Sequence, residues 1–199
     1  MSSVNAAAAI LLATLFSQLP SGPQTVPYYV TDGKGVAGYD SKDGELAVFA
    51  LEAWSRESNA RLRFAPAKGE ADALLVVRWI SAGEGRFGEM RRITVGDKQG
   101  AEVFISPGVS SMGEPFASRA ARDRLFRDTI VYLTCVHEIG HAVGLQHTAN
   151  FEDIMYYFGY GGDLASYFLR YRDKLQSRSD IRKFSGLSPN DVAVLKRLH

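Results

Sequence analysis

Three of the chain's four histidines lie within one short run, from His137 to His147. On an α-helix, His137 and His141 are one turn apart and share a face, so both imidazoles can reach one cation. Glu138 follows the first histidine and leans towards the same place. Gly144 can adopt the positive φ that ends a helix, and the chain reversal brings His147 back. Three nitrogens and a water predict an open tetrahedral Zn²⁺ site, the kind that supports catalysis.

This run resembles the zinc motif of the metzincins, H-E-x-x-H-x-x-G-x-x-H, which is followed by a Met-turn. The candidate Met-turn is Asp153-Ile154-Met155-Tyr156, with Met155 eight residues after His147. That interval resembles the matrixins, the family of the matrix metalloproteinases and their shorter bacterial relatives. The resemblance implies that Met155 is not a ligand and forms an apolar floor beneath the histidines.

The five residues from His137 to His141 alone also fit a simpler hypothesis, a buried helix with two coincidental histidines. Gly144, His147 and Met155 all stand where the longer motif requires them. Their presence favours the metal site strongly over the coincidence.

The resemblance continues more weakly outside the motif. Residues 26–30 resemble the first strand of the family, 47–64 its first helix and second strand, and 71–76 its third strand. Residues 187–191 resemble the start of the last helix. We therefore predict one metallopeptidase domain over residues 26–199, preceded by a segment over residues 1–25.

The resemblance implies a zinc-dependent endopeptidase of protein substrates. Zinc lowers the pKa of a bound water to about 7 and polarises the scissile carbonyl. Glu138 is the predicted general base, which takes the proton of that water and passes it to the departing amine. In the family, the substrate lies extended along an edge strand, and residues 90–95 are the candidate strand here.

The sequence departs from the matrixin pattern just after Met155. Matrixins usually have Tyr and then Pro at these positions, whereas this chain has Tyr156 and Tyr157. A tyrosine two residues past the methionine is similar to astacins and serralysins, where it touches the metal or the oxyanion. Tyr157 is therefore a candidate catalytic residue, and a role in packing or in the pocket wall is the alternative.

Two other functions stay open. An aminopeptidase of narrow specificity requires one end of the cleft to be closed, and the long stretch 159–186 is the candidate for closing it. A non-catalytic zinc-binding interaction module would have no use for the carboxylate of Glu138, which argues against that function.

Other metals are less well specified. Larger matrixins bind a second, structural zinc through histidines of the strand region, but residues 1–136 contain no histidine, so we expect one zinc ion. Calcium stays undecided, because the aspartates in glycine-containing loops lack the spacing of an EF-hand and are also typical of turns. These aspartates are Asp32, Asp40, Asp43 and Asp97.

Composition indicates one soluble domain. The chain has 199 residues, of which 46% are hydrophobic, and its 22 acidic and 23 basic side chains nearly cancel. Nothing in this balance favours nucleic-acid binding or attraction to a membrane. The single cysteine, Cys135, excludes an internal disulfide and is predicted to be a buried thiol. The oligomeric state is not predicted.

The N-terminal segment is ambiguous. Residues 6–16 form an apolar stretch of signal-peptide length that is too short to span a bilayer. No Lys or Arg precedes it, so an ordinary helix is the alternative. A signal or anchor would place the protein outside the cytoplasm, as a secreted or periplasmic protein; a cytoplasmic location is the other outcome.

The predicted fold is α+β, with a mostly parallel sheet, an antiparallel edge strand and helices that back it. Hydrophobic periodicity predicts a sequence of strands and helices. Strands are expected over residues 26–31, 61–65, 73–80, 91–95 and 102–106, with the third central. Helices are expected over residues 45–58, 119–143 and 163–176, and the second carries the histidines.

Overall fold

A computed structural model of the chain describes residues 23–82 and 87–199. Within them the chain forms one five-stranded sheet with the strand order β2-β1-β3-β5-β4. The strands are β1 (Gln24–Val30), β2 (Leu62–Pro66), β3 (Leu75–Trp79), β4 (Gly88–Val95) and β5 (Lys98–Ile105). The predicted segment over residues 6–16 lies outside the described residues.

The sheet has the predicted arrangement. β1, β2, β3 and β5 are parallel, and β4 runs antiparallel to β5 at one edge. β3 is central, and four of its five residues are buried, as its continuous apolar run indicates. β4 and β5 form a hairpin whose two-residue turn contains Gly96 at a φ of 62°. The α+β fold class with one antiparallel edge strand is thus confirmed.

Five α-helices accompany the sheet in the described part of the chain. They are α1 (Asp43–Glu57), α2 (Phe116–Arg122), α3 (Arg124–Ala142), α4 (Leu164–Arg172) and α5 (Pro189–Leu198). The prediction of one helix over residues 119–143 is wrong, because the chain breaks at Asp123. There the backbone is extended, and the Asp123 side chain caps the next helix by accepting a hydrogen bond from the Phe126 amide.

Helix α3 is the central element of the core. Its buried side chains pack against α1 and the sheet, and the Trp54 indole of α1 donates a hydrogen bond of 2.9 Å to the carbonyl of Val136. Arg127 of α3 also forms a buried ion pair with Asp43, the first residue of α1. α3 is therefore fixed to α1 at two positions along its length, one near its start and one beside the histidines.

The last two helices bound the site from the C-terminal side. α4 is shorter than the predicted 163–176 and buries Tyr167, Phe168 and Tyr171 against the core. α5 begins with a capping box in which Ser188 and Asp191 satisfy each other's backbone amides. Of the helices in residues 23–82 and 87–199, none is both long and apolar enough to cross a membrane.

Candidate functional site

The three predicted histidines converge in the structure. The Nε2 atom of His147 lies 3.2 Å from Nε2 of His137 and 3.1 Å from Nε2 of His141. His137 and His141 project from one face of α3, as their spacing predicts. The chain returns through Gly144, which adopts a φ of 104° directly after the helix and so permits the reversal.

Hydrogen bonds at the Nδ1 atoms of His137 and His141 fix the orientation of these two rings. Nδ1 of His137 donates to the carbonyl of Ile154 at 2.7 Å, and Nδ1 of His141 donates to the carbonyl of Leu145 at 3.0 Å. A carbonyl only accepts, so each Nδ1 carries the proton and each Nε2 presents a lone pair to the centre. This is the backing that metal-ligating imidazoles require.

The donor set fits a tetrahedral zinc ion. Bonds of about 2.0–2.1 Å at tetrahedral angles separate two ligand nitrogens by roughly 3.3 Å, close to the separations given above. Three lone pairs facing one another without a cation would repel. Among the described residues, these histidines are also the one group of three or more His, Cys, Asp or Glu side chains that could hold a metal ion.

Burial keeps the imidazoles neutral, which is the form that binds metal. It lowers the pKa of His137 to about 4, and it also lowers the pKa values of His141 and His147. The three sites therefore offer lone pairs rather than protons at neutral pH.

Met155 lies directly beneath the histidine helix. Its side chain is fully buried, and a Cβ added to Gly140 would lie only 2.5 Å from the Met155 sulfur. Gly140 lies between the two histidines of α3 in the sequence. Because any Cβ at this position would collide with the Met155 sulfur, only glycine allows the close approach. Met155 is thus packed against the helix that carries His137 and His141, and its role as an apolar floor stays a prediction.

Glu138 lies beside the histidines, against the first residue of the edge strand. Its side chain is nearly buried, and a Cβ added to Gly88 of β4 would lie 2.5 Å from its Oε1 atom. Burial, with a smaller contribution from the charge of Glu89, raises the pKa of Glu138 to about 8. The carboxyl group can therefore hold a proton near neutral pH, as a general acid–base group must.

Two residues that hold the site are not among the predicted site residues. Oδ2 of Asp191 accepts hydrogen bonds of 2.8 Å from the amides of Ile154 and Ser188, so the start of α5 anchors the Met-turn. Asp153 accepts bonds from Ser188 and Asn190 in the same network. The capping-box pattern at residues 188–191 marks Asp191 as a helix residue but gives no sign of this second contact.

Tyr157 is placed on the rim of the site. Its ring centroid lies 4.9 Å from that of His147, and its side chain is 45% exposed. The ring rests against Gly159, where an added Cβ would lie 2.7 Å from the Tyr157 hydroxyl. The tyrosine thus adjoins the site, with its hydroxyl directed along the loop.

A cleft of about 710 Å³ connects these groups. One wall is the start of β4, from Gly88 to Met90, and the other is the segment from Tyr156 to Gly159. The same cleft is also lined by mostly apolar residues of α3, of α4 and of the segment before α2. These lining residues are Met112, Leu133, Thr134, Leu164, Tyr167 and Phe168.

The remaining candidate residues lie apart from the cleft. Cys135 is buried, as predicted, and burial raises the pKa of its thiol well above the ordinary value. Asp32 and Asp40 accept hydrogen bonds from backbone amides two residues later, as turn aspartates do, and Asp43 pairs with Arg127.

Comparison with known proteins gives two findings. The family model described as Matrixin, of the M10 peptidases, matches residues 26–174. Archaemetzincin from Methanopyrus kandleri, whose crystal structure is known, is 15% identical, with a TM-score of 0.47 over 90% of this chain and 98% of that chain. A comparison with curated protein sequences gives no significant match.

Proposed function

Because the chain belongs to the matrixin family of zinc peptidases, we propose that it is an endopeptidase that hydrolyses internal peptide bonds of protein substrates. The observation that carries the proposal is the convergence of three Nε2 atoms beside a nearly buried carboxyl group in one open cleft. His137, His141 and His147 are the proposed zinc ligands, and Glu138 is the proposed general base.

When bound at the three histidines, zinc supplies a Lewis acid that acidifies water and polarises a carbonyl. The chain's own contribution begins with Glu138, whose carboxylate accepts the proton of the attacking water. Glu138 then delivers this proton to the nitrogen of the departing amine. A cation nearby favours the ionised carboxylate before the reaction, while burial favours the protonated form after it. These opposed influences suit a group that must both take and release a proton.

The position of β4 supports an extended substrate. β4 pairs with β5 on one side only and lies at the edge of the described sheet, and its first three residues form a wall of the cleft. A peptide laid along this edge gains backbone hydrogen bonds without requiring a particular sequence. An endopeptidase needs this tolerance, because its substrate passes through the cleft and continues on both sides.

Tyr157 is the proposed second contributor to the transition state. Its ring adjoins His147 and its exposure leaves room for the side chain to rotate towards a bound carbonyl. Replacing Tyr157 by Phe removes only the hydroxyl. A fall in kcat of about tenfold or more supports a hydrogen bond to the oxyanion, whereas unchanged turnover makes the ring a cleft wall only.

The decisive experiment compares the zinc-loaded protein with its Glu138→Gln variant. Each is incubated with unfolded casein and with short peptides that have free amino termini, with and without a chelator. We expect internal cleavage of casein by the wild-type protein, its loss with chelator, and no cleavage by Glu138→Gln although zinc remains bound. Retained cleavage by that variant would refute the role of Glu138.

The same experiment distinguishes the alternative functions. Stepwise trimming from the amino terminus would replace the endopeptidase proposal by an aminopeptidase. Zinc binding without cleavage of any substrate would indicate a non-catalytic module.

A further inference from the structure

Two adjacent arginines of the edge strand β4, Arg91 and Arg92, lie on opposite faces of the sheet. Successive side chains of a strand alternate between its two faces. In the antiparallel register Arg91 lies opposite Glu102 of β5, whereas Arg92 lies opposite Ala101. Ala101 is buried and belongs to the main hydrophobic cluster, together with residues of α3. Arg92 is therefore on the face that carries the helices and the cleft, and Arg91 is on the outer face.

The charge of Arg91 is engaged within its own sheet. Its Nε and Nη2 atoms donate hydrogen bonds of 2.9 and 3.1 Å to the two carboxylate oxygens of Glu89, which lies on the same face two residues earlier. The guanidinium also lies over the ring of Phe104, 4.8 Å from its centroid. Arg91 is therefore occupied by contacts that have no connection with the cleft.

Arg92 has a different environment. Its side chain is exposed, and its guanidinium makes no ion pair, hydrogen bond or ring contact within residues 23–82 and 87–199. Its neighbours on the same face of β4 and β5 carry no charge; they are Met90, Thr94, Gln99, Ala101 and Val103. The carboxyl group of Glu138 lies at Gly88, four residues away and about 13 Å along the strand. The described part of the chain therefore leaves the charge of Arg92 without a counter-charge.

The cleft and Arg92 are connected by the free edge of β4. Met90 lines the cleft, packs against the main hydrophobic cluster and lies on the same face as Arg92. In the described sheet β4 pairs with β5 over all eight of its residues, so its other edge continues past Met90 to Arg92. Side chains directly opposite each other on neighbouring strands have Cβ atoms about 4.5–5.5 Å apart on one face. A peptide paired with this edge therefore places one of its side chains beside the guanidinium.

We propose that Arg92 selects substrates that carry an acidic side chain at one position distant from the scissile bond. The inference rests on the proposed function, because it assumes that the substrate lies along β4. The selected residue is four positions along the substrate from the residue opposite Gly88, where Glu138 lies. An arginine side chain offers a planar set of N–H donors that matches a carboxylate, and here no protein carboxylate among the described residues competes for it.

The test measures kcat/KM for pairs of peptides that differ only by Asp or Asn at a single position. Asp and Asn have the same shape, so the ratio of the two values isolates the effect of the charge. The position is moved stepwise away from the scissile bond on each side. The wild-type protein is compared with Arg92→Gln and Arg92→Glu. Arg91→Gln is the matched control, because it removes the same charge from the adjacent residue.

We expect the wild-type protein to favour Asp over Asn by about two- to fivefold at one position, on one side of the scissile bond only, as an exposed ion pair allows. Arg92→Gln should bring this ratio to about one, and Arg92→Glu should invert it. Arg91→Gln should leave the ratio at its wild-type value. Salt at about 1 M should also bring the wild-type ratio towards one, because it screens exposed charges.

Three results would overturn the proposal. The first is equal kcat/KM for Asp and Asn at every position in the wild-type protein. The second is a preference for Asp that survives in Arg92→Gln, and the third is a preference that Arg91→Gln abolishes as completely as Arg92→Gln does.

A binding measurement separates this inference from the proposed function. The same peptides are titrated calorimetrically into zinc-loaded Glu138→Gln protein, with and without the additional Arg92→Gln substitution. Tighter binding of one Asp peptide by about two- to fivefold, lost in the double variant, supports the role of Arg92 even if the wild-type protein cleaves nothing. Equal affinities for every Asp and Asn pair, or no binding of any peptide, would contradict it, whatever the wild-type protein cleaves.

Discussion

The two sides of the cleft are built in different ways. On the side of the histidines, α3, the Met-turn and the start of α5 are buried and joined by hydrogen bonds, and Asp191 is only 1% exposed. On the other side, the aromatic loop from Tyr157 to Gly162 contains two glycines of positive φ, and Tyr160 is 66% exposed. The helix that carries His137 and His141 thus belongs to the core, while the exposed aromatic side chains at the rim of the cleft are attached to it from outside.

The largest effect is expected when a histidine is removed from the buried side of the cleft. His141→Ala removes one of three converging nitrogens, and replacing even an outer partner of a metal ligand costs about 10–100-fold in affinity. We expect zinc affinity to fall by more than about 100-fold, measured by metal analysis after dialysis against a weak chelator. His199→Ala, which removes the one histidine outside the site, should keep one equivalent of zinc. Loss of zinc from both variants would contradict the assignment.

The two sides should also differ in their contribution to stability. Asp191→Ala leaves the buried amides of Ile154 and Ser188 without acceptors, which should lower the free energy of unfolding by about 3 kcal/mol. Tyr160→Ala removes an exposed ring and should change it by about 0.5 kcal/mol or less. Denaturant unfolding of both variants measures the difference. Similar losses in the two would mean that the aromatic loop is part of the core.

The contact between β4 and Glu138 predicts a smaller effect, one that changes the rate of turnover but not the zinc content. An alanine at Gly88 would push the Glu138 carboxylate from its place, and displacement by about 1 Å can cost about 100-fold in rate. We expect kcat of Gly88→Ala to fall about 10–100-fold while zinc content stays normal. Gly69→Ala is the control, since no atom lies within 4 Å of its added Cβ. Normal turnover in Gly88→Ala would show that Glu138 tolerates displacement.

The raised pKa of Glu138 predicts a pH dependence of the metal-free protein. The folded chain holds this proton up to a pH of about 8, whereas the unfolded chain releases it near 4.5. Between these values the folded state binds more protons, so this group makes the protein less stable as the pH rises. Glu138→Gln removes the titration. Its stability relative to wild type should therefore grow by about 1 kcal/mol per pH unit from pH 5 to 8, measured by unfolding in chelator. A constant difference over that range would mean an ordinary pKa for Glu138.

The candidate site could be predicted because its information is local. The spacing of His137 and His141, the glycine at 144 and the methionine at 155 all lie within the single run from His137 to Met155. The strands were predictable for a similar reason, since apolar runs and alternation reveal burial directly. The edge strand was found but shortened, because its first residues, beginning with Gly88, lack an apolar pattern.

The parts that escaped prediction depend on contacts between distant segments. Nothing near Gly88 indicates that Glu138 will pack against it, and nothing near Asp191 indicates a bond to Ile154. The break at Asp123 was missed because the apolar periodicity continues across it, while the capping preference of one aspartate decides the outcome.

The close approach of Met155 to Gly140 has a consequence for oxidative damage. The thioether is shielded completely, so an oxidant reaches it only when the turn opens. A sulfoxide oxygen would then need space in a contact where even a methyl group does not fit. Oxidation at this residue would therefore hinder reclosure of the turn against the helix that carries His137 and His141.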